Sequence, residues 1–348
     1  MSHPRTRAAL HVLSASVLLI ACGGEASPPE DPAGAITDGG TATEGTPGLF
    51  FVDATAESGL DSFHQVNGGP EKLFIPESIG GGVALFDADG DGDLDAYLSN
   101  GSLLEGLVEG KEPRDALYLN DGSGHFTDHS AEAGIDDATW TCGVRIVDYD
   151  GDGISDIYLT NYGPNRLYRG LGGAKYEDVT EESGLADPGW STGAVFLDFD
   201  HDGDLDVYVA NYIDYDEEKM LRERPTGTIL GHRTSSAAGV PQKYDDIAVM
   251  KGPRGLQPAR DSFYINQGDG TFRNASVEVG IAGPELFGFQ CIAFDYDEDG
   301  WVDIYVVNDV LRNLMWRNDE GKGFIDVSLQ TGLALSMTGT AQGAMGVA

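Results

Sequence analysis

The sequence predicts an all-β fold built from repeated four-stranded units, and three observations lead to this prediction. An apolar strand, a nine-residue acidic loop and a second strand ending in Tyr-x-x-Asn recur four times. A second motif, two short strands around a glycine-rich turn, alternates with the first. The runs that flank both motifs are β-branched or aromatic and alternate in polarity, which indicates strands rather than helices.

The two motifs together supply four strands per repeat. The first motif occupies residues 82–100, 143–161, 193–211 and 290–308. The second motif reads as a β-hairpin and occupies residues 115–135, 165–185, 261–281 and 313–333. Four-stranded units that repeat around an axis are the blades of a β-propeller, so we expect a propeller with about four blades in this chain.

The predicted propeller covers residues 49–348, with an insert at about 212–260 that lacks periodicity. Long insertions in repeat proteins often lie on the binding face, so we expect the insert there. Residues 48–60 match only the last strand of a unit, and residues 341–348 match only the start of one. The pattern therefore predicts an incomplete propeller, truncated at its C-terminal end.

The N-terminus is typical of a bacterial lipoprotein. Arg5 and Arg7 precede a short apolar stretch that ends Leu-Ile-Ala-Cys at Cys22, which resembles a lipobox. Residues 1–22 are therefore predicted to be a lipoprotein signal peptide, with Cys22 as the lipidated residue and the membrane anchor. Residues 23–48 are rich in Gly, Pro and Thr and read as a flexible linker. Gly23 after the cysteine favours the outer membrane.

Acidic residues outnumber basic ones 58 to 21, which gives a formal net charge of −37. This excess argues against a nucleic-acid partner, because a phosphate backbone would be repelled. A disordered acidic chain is the plain alternative, but 41% of the residues are hydrophobic and the aspartates fall at fixed spacings inside apolar runs. The aspartates are therefore interpreted as ligands for cations.

Each acidic loop has the form Asp-x-Asp-x-Asp-Gly-x-x-Asp. Carboxylates at positions 1, 3, 5 and 9 and the backbone carbonyl of position 7 can converge on one ion, and calcium takes six to eight such oxygen ligands. Four calcium ions are thus expected. The candidate ligands are Asp87, Asp89, Asp91, Asp93 and Asp95; Asp148, Asp150, Asp152, Ile154 and Asp156; Asp198, Asp200, Asp202, Asp204 and Asp206; and Asp295, Asp297, Asp299, Trp301 and Asp303.

The loops differ from EF-hands, which need flanking helices and a glutamate at position 12. Position 12 is apolar in all four loops, and the flanks are strands. A ligand set made of hard oxygens disfavours zinc and copper. Without a cation the clustered carboxylates would repel one another, so the metal-free form should be less stable.

The segments PESIGGGVALFDADGDGDLD, DYDGDGISDIYLTNYGPNRLYRG and YEDVTEESGL resemble the FG-GAP/VCBS repeat proteins. More narrowly, the chain is similar to the ASPIC/UnbV branch related to cartilage acidic protein, whose propeller is like that of integrin α-subunits. This resemblance, over roughly 49–348, implies a seven-bladed ring with calcium on one face in an extracytoplasmic protein. The chain shows about four units and lacks the ASPIC/UnbV segment.

Two classes of function fit the sequence. The first is a calcium-stabilised interaction module that binds a protein or a glycan. The second is a calcium-dependent polysaccharide lyase or hydrolase. Its catalytic group could come only from basic residues of the insert, which are Arg222, Arg224, Arg233, Lys243, Lys251 and Arg254. The binding module is favoured.

Two smaller features leave choices open. Gly-Trp-Ser-Thr-Gly at 189–193 matches a nucleophile elbow, but that elbow needs a helix after Ser191, and a strand is predicted instead. Cys142 and Cys291 could pair or could be small core residues, and the core interpretation is favoured because cysteine is often buried.

Overall fold

The computed structural model describes residues 52–69, 72, 74–104, 107–108, 111–135, 137–214, 253 and 256–347. Within these ranges, sixteen strands form four antiparallel sheets of four strands each, which we call blades 1 to 4. Neighbouring strands of each sheet follow one another along the chain. The predicted all-β, propeller-like fold with about four blades is therefore confirmed, while closure into a larger ring stays a prediction.

The strands coincide with the two repeated motifs. Blade 1 consists of β1 (Val83–Phe86), β2 (Asp95–Leu98), β3 (Ala116–Asn120) and β4 (Phe126–Asp128). Blade 2 consists of β5 (Trp140–Val147), β6 (Asp156–Tyr162), β7 (Arg166–Gly170) and β8 (Tyr176–Asp178). Blade 3 consists of β9 (Ser191–Leu197), β10 (Asp206–Asn211), β11 (Ser262–Asn266) and β12 (Phe272–Asn274). Blade 4 consists of β13 (Gly288–Phe294), β14 (Asp303–Asn308), β15 (Leu314–Asn318) and β16 (Phe324–Asp326).

The described part of the chain also contains short helices. One-turn helices follow the last strands of blades 1, 2 and 4. They are α1 (Ser130–Ala133), α2 (Thr180–Ser183) and α3 (Ser328–Thr331). Two 3-10 helices, Leu60–Ser62 and Ile75–Ser78, precede blade 1. None of the described helices has the length and apolar character needed to cross a membrane.

The strand register places every acidic loop at the same end of its blade. Phe86 at the end of β1 pairs with Asp95 at the start of β2, so the loop between them closes a hairpin. Leu197 and Asp206 pair in the same way in blade 3. The other two blades repeat this register. The strand ends on the opposite side carry the connections to the third strand of each blade.

The hydrophobic core lies between neighbouring blades. One buried cluster joins Phe86, Tyr97 and Leu117 of blade 1 to Ile157 and Leu159 of blade 2. Similar clusters join blade 2 to blade 3 and blade 3 to blade 4. Each blade buries its apolar side chains against the next blade. The stability of one blade therefore depends on its neighbours.

The segment before blade 1 packs as the end of a preceding unit would. The amide of Phe126 in β4 donates a 2.7 Å hydrogen bond to the carbonyl of Ser58. In blade 4, Phe324 donates the same bond, also 2.7 Å, to Val279 of blade 3. The sequence similarity of residues 48–60 to the last strand of a unit thus has a structural counterpart in the turn at 55–59.

The cysteines support the core interpretation. Cys142 and Cys291, the cysteines within the described residues, both carry free thiols. Cys291 is buried in the cluster between blades 3 and 4, and Cys142 packs against the aromatic cluster around Trp190. Burial raises the pKa of both thiols to about 12, so neither is a reactive thiolate at neutral pH.

Candidate metal centres

Each acidic loop brings three carboxylates together. Within each trio, one oxygen of every carboxylate lies within 4.8 Å of the others, a spacing that one cation can bridge. In the first two loops the trio comes from positions 1, 3 and 9, and in the last two from positions 1, 3 and 5. The trios are Asp87, Asp89 and Asp95; Asp148, Asp150 and Asp156; Asp198, Asp200 and Asp202; and Asp295, Asp297 and Asp299.

The tight winding of the loops needs left-handed backbone at positions 4 and 6. Position 6 is glycine in all four loops, and its φ is 97° at Gly203 and 92° at Gly300. Position 4 is glycine in the first two loops but His201 (φ 63°) and Glu298 (φ 62°) in the others. Such angles cost little at glycine and more at other residues, which explains the invariant glycine at position 6.

The two carboxylate oxygens of the aspartate at position 1 have different surroundings. One oxygen of Asp148 accepts a 3.0 Å hydrogen bond from the amide of Gly153, and Asp295 accepts one of 2.9 Å from Gly300. The other oxygen of Asp148 is buried, with no hydrogen-bond donor among the described residues, and Oδ1 of Asp198 is in the same situation. A buried carboxylate oxygen without a partner is costly, and a hard cation removes that cost.

The aspartate at position 9 braces the loop against the third strand. In blade 3, Asp206 accepts hydrogen bonds from the amides of Phe199 (3.0 Å) and Asn266 (2.9 Å). Asp156 does the same in blade 2, with Tyr149 (3.0 Å) and Gly170 (2.7 Å). The corresponding aspartates of blades 1 and 4 repeat this arrangement. The sequence suggested a closing ligand here, and the structure adds this bracing role.

Burial dominates the electrostatics of position 9. It raises the pKa of Asp156 to about 7 and that of Asp206 to about 7, against the opposing effect of the backbone amides. The carboxylates at positions 1 and 3 of the second loop add to the shift at Asp156. A bound cation would favour the ionised form and so lower these pKa values.

The side chain at position 7 covers the glycine of the neighbouring hairpin instead of entering the loop. Asp204 lies over Gly268, where a Cβ would come within 2.9 Å of its Oδ2. Trp301 covers Gly321 and also stacks on His201 of the preceding loop, with ring centroids 3.9 Å apart and planes at 6°. Position 7 could therefore serve an ion through its backbone carbonyl, which is the role that the sequence assigned to it.

Asparagines at the end of the third strand join successive blades. The side-chain amide of Asn266 donates to the carbonyl of Tyr149 in the loop of blade 2, at 3.2 Å. Asn318 donates in the same way to Phe199 in the loop of blade 3, at 2.9 Å. The sequence reasoning missed this role, although an asparagine recurs at this position in three of the four hairpins. That recurrence was the available signal.

The remaining sequence candidates fall in two groups. Ser191 is fully buried at the start of β9, and its hydroxyl donates a 2.9 Å hydrogen bond to Asn211, so it lacks the exposed geometry of a nucleophile elbow. Cys22, the linker and the six basic residues of the insert lie outside the described residues. Their predicted roles stay predictions.

Three stretches of the chain match the model of the FG-GAP-like repeat family: residues 107–159, 148–209 and 243–306. The chain carries FG-GAP-like repeats. Every matched stretch includes at least one acidic loop, and each begins before the blade that supplies the last loop in that stretch, so the sequence repeat is offset from the structural blade. The narrower resemblance to the ASPIC/UnbV branch stays a prediction.

Comparison with solved structures finds distant similarity. A lectin of Agrocybe aegerita that recognises terminal N-acetylglucosamine has 17% identity and a TM-score of 0.35, covering 70% of this chain and 51% of the lectin. The Tc holotoxin pore of Photorhabdus luminescens has 18% identity and a TM-score of 0.29, covering 75% and 10%. The V. cholerae biofilm matrix protein Bap1 has 12% identity and a TM-score of 0.33, covering 78% and 44%. This chain thus spans about half or less of each, and comparison with curated protein sequences gives no match.

Proposed function

We propose that this FG-GAP repeat protein is a calcium-binding interaction module of the bacterial cell envelope. The observation that carries the proposal is the set of four equivalent acidic loops, two of which hold a buried carboxylate oxygen with no donor among the described residues. Calcium fits these sites because it accepts several oxygen ligands at flexible geometry. The ions would hold the first hairpin of each blade closed.

In this proposal the calcium ions have a structural role, and a partner binds to the blade surface outside the acidic loops. The position 9 aspartates tie each loop to its own blade, and Asn266 and Asn318 tie the loops of blades 2 and 3 to the next blade, so a bound ion would stiffen the array. A stiff scaffold lowers the entropic cost of holding a partner. The partner is a protein or a glycan, and the negative charge of the chain argues against nucleic acid.

The place of action follows from the N-terminal sequence. Lipidation at Cys22 would hold the folded domain at the membrane through the linker, with the outer membrane favoured. Labelling with a fatty-acid analogue tests this, because Cys22→Ser should abolish the label and release the protein into the soluble fraction. An unlabelled wild-type protein would contradict the proposal.

The metal part of the proposal has a direct test. Isothermal titration of the metal-stripped chain with calcium should give about four sites, and magnesium should bind more weakly because it demands a stricter octahedral geometry. A chain that binds no calcium would contradict the proposal.

The binding part needs a second test. The purified chain is used as bait for an envelope extract, once with calcium and once with a chelator. A specific partner retained with calcium and lost with the chelator supports the interaction module. Turnover of an acidic polysaccharide by the purified chain would instead favour the enzyme alternative.

A further inference from the structure

A cavity of about 710 Å³ lies between blades 2 and 3, at the ends of the strands opposite the acidic loops. Tyr162 ends β6, Asn211 ends β10, and Ser262 begins β11, and all three contribute to its wall. The acidic loops precede β6 and β10, so the length of these strands separates the cavity from the candidate calcium sites. The cavity is therefore a distinct site with its own chemistry.

The floor of the cavity holds a buried carboxylate. Asp187 is 3% exposed. Its Oδ1 accepts a 3.0 Å hydrogen bond from the amide of Gly189, and its Oδ2 accepts one of 2.9 Å from the hydroxyl of Tyr264. An ionised carboxylate has about four acceptor positions, so Asp187 retains capacity for a ligand hydroxyl.

Trp190 borders the cavity, although only 3% of it is exposed. Trp190 lies between Tyr162 and Tyr212, with ring centroids 5.2 Å and 5.1 Å apart and edge-to-face planes at 86° and 87°. These contacts fix the indole in place. The cavity thus combines an apolar lining, to which Pro188, Ile213 and Pro258 contribute, with an oriented acceptor.

The rim holds a preorganised set of planar polar groups. Glu285 accepts a 2.6 Å hydrogen bond from the side-chain amide of Gln257 and forms an ion pair with Arg260 at 2.9 Å. Asp214 also lines the cavity. The described lining residues therefore include three carboxylates, counting Asp187, against one guanidinium, and this guanidinium is already paired.

We propose that this cavity binds an uncharged saccharide unit, an assignment that rests on the proposed interaction function and names its ligand and its site. Its volume lies within the roughly 300–1,000 Å³ typical of small-molecule sites, which combine apolar walls with a few placed polar groups. A sugar presents apolar C–H faces and several hydroxyls, which match the apolar lining and the carboxylate acceptors of the cavity. The excess of carboxylates repels uronates and phosphorylated ligands.

The test uses the full calcium-loaded chain and saturation-transfer NMR. The probes are glucose, galactose and mannose, the disaccharides maltose, cellobiose and lactose, and glucuronate and galacturonate as charged counterparts. At least one neutral sugar should bind, and both uronates should bind about tenfold more weakly or not at all. Equal binding of a neutral sugar and its uronate would overturn the charge argument.

Two variants locate the site. Glu285→Ala removes the acceptor that holds Gln257 and Arg260, and should weaken sugar binding by about tenfold. Its control, Glu177→Ala, removes another partly exposed Glu–Arg pair, with Arg169 at 2.8 Å on the outer strands of blade 2, and should leave binding unchanged. Sugar binding that neither variant alters would overturn the assignment of the site.

A second substitution probes the floor without unfolding it. Asp187→Asn keeps an acceptor for Gly189 and can donate to the Tyr264 hydroxyl, as Asn165 donates to Tyr158 at 2.8 Å in blade 2. It should retain the melting temperature but lose most of the affinity for sugar; unchanged affinity would overturn the proposal. If no sugar binds while the envelope extract yields a calcium-dependent protein partner, this inference fails and the proposed interaction function stands.

Discussion

The hydroxyl of Tyr97 donates a 2.8 Å hydrogen bond to the buried carboxylate of Asp115. In blade 2 the equivalent bond is reversed, because the amide of Asn165 donates to the hydroxyl of Tyr158, also at 2.8 Å. Blade 3 repeats the aspartate and blade 4 the asparagine. One position in the repeat therefore alternates between an ionisable and a neutral side chain with the same contact.

This alternation predicts a pH-dependent stability. Burial raises the pKa of Asp115 from 3.8 to about 8, with a further contribution from Asp137. The folded state therefore holds the proton more tightly than the unfolded chain does. The contribution of Asp115 to the free energy of unfolding is fully present below about pH 4 and is lost as the pH rises towards 8.

Asp115→Asn should remove this dependence. Relative to the wild type, the variant should gain at least about 2 °C in melting temperature between pH 5 and pH 8, measured at saturating calcium. The reciprocal change Asn165→Asp should introduce the dependence in blade 2. Melting temperatures that run parallel across this pH range would contradict the prediction.

Asp148→Asn should remove one calcium ion. The substitution keeps an acceptor for Gly153 but places an amide where the unpartnered Oδ1 lies. At free calcium a hundredfold above Kd, about 2.7 kcal/mol of stabilisation per site would be lost. With chelator the variant should be as stable as the wild type or more so, because repulsion within the carboxylate trio is relieved.

The measurement for Asp148→Asn is calcium stoichiometry by titration together with melting curves in calcium and in chelator. Asp61→Asn, at an exposed position outside the loops, serves as the control. Four retained sites in the Asp148 variant would contradict the assignment of Asp148 as a ligand.

Much of this architecture could be predicted because each blade is encoded by short sequence motifs that repeat along the chain. The apolar run around Tyr97 and the acidic loop after Phe86 identify strands and their connection without any long-range information. The carboxylate trios follow from the loop spacing. The repeats also supply internal comparisons, since four copies of one loop exclude chance far better than one copy does.

Features that depend on neighbouring blades could not be predicted in this way. The bond from Asn318 to Phe199 joins residues 119 positions apart. The cavity gathers Asp187 from the connection between blades 2 and 3 and Glu285 from the connection between blades 3 and 4. Sequence periodicity gives the content of each blade, whereas such sites depend on how the blades are placed against one another.

Asp206→Asn should destabilise the protein independently of calcium. Both carboxylate oxygens of Asp206 accept backbone amides, and an asparagine can satisfy only one of them. A buried amide left without an acceptor costs about 1–3 kcal/mol, so the loss should be similar in calcium and in chelator. Chemical unfolding under both conditions measures it. A loss confined to calcium would show that Asp206 acts chiefly as a ligand.

Asn318→Ala should weaken the junction between blades 3 and 4. The side chain of Asn318 donates to Phe199 of blade 3 and to Val302 of its own blade, and it accepts from Gly321. Asn120, at the same position in blade 1, donates only to Leu94 of its own blade among the described residues. Asn120→Ala is therefore the matched control.

The interblade bond should make Asn318→Ala more destabilising than Asn120→Ala by about 1 kcal/mol, the usual net value of one hydrogen bond. Hydrogen exchange should show faster exchange in β13 and β14 of the Asn318 variant, since these strands rely on the packing against blade 3. Equal destabilisation by the two variants would mean that the bond to Phe199 adds nothing. In that case the apolar contacts between Phe199 and Phe324, whose ring centroids are 4.9 Å apart, would carry the junction alone.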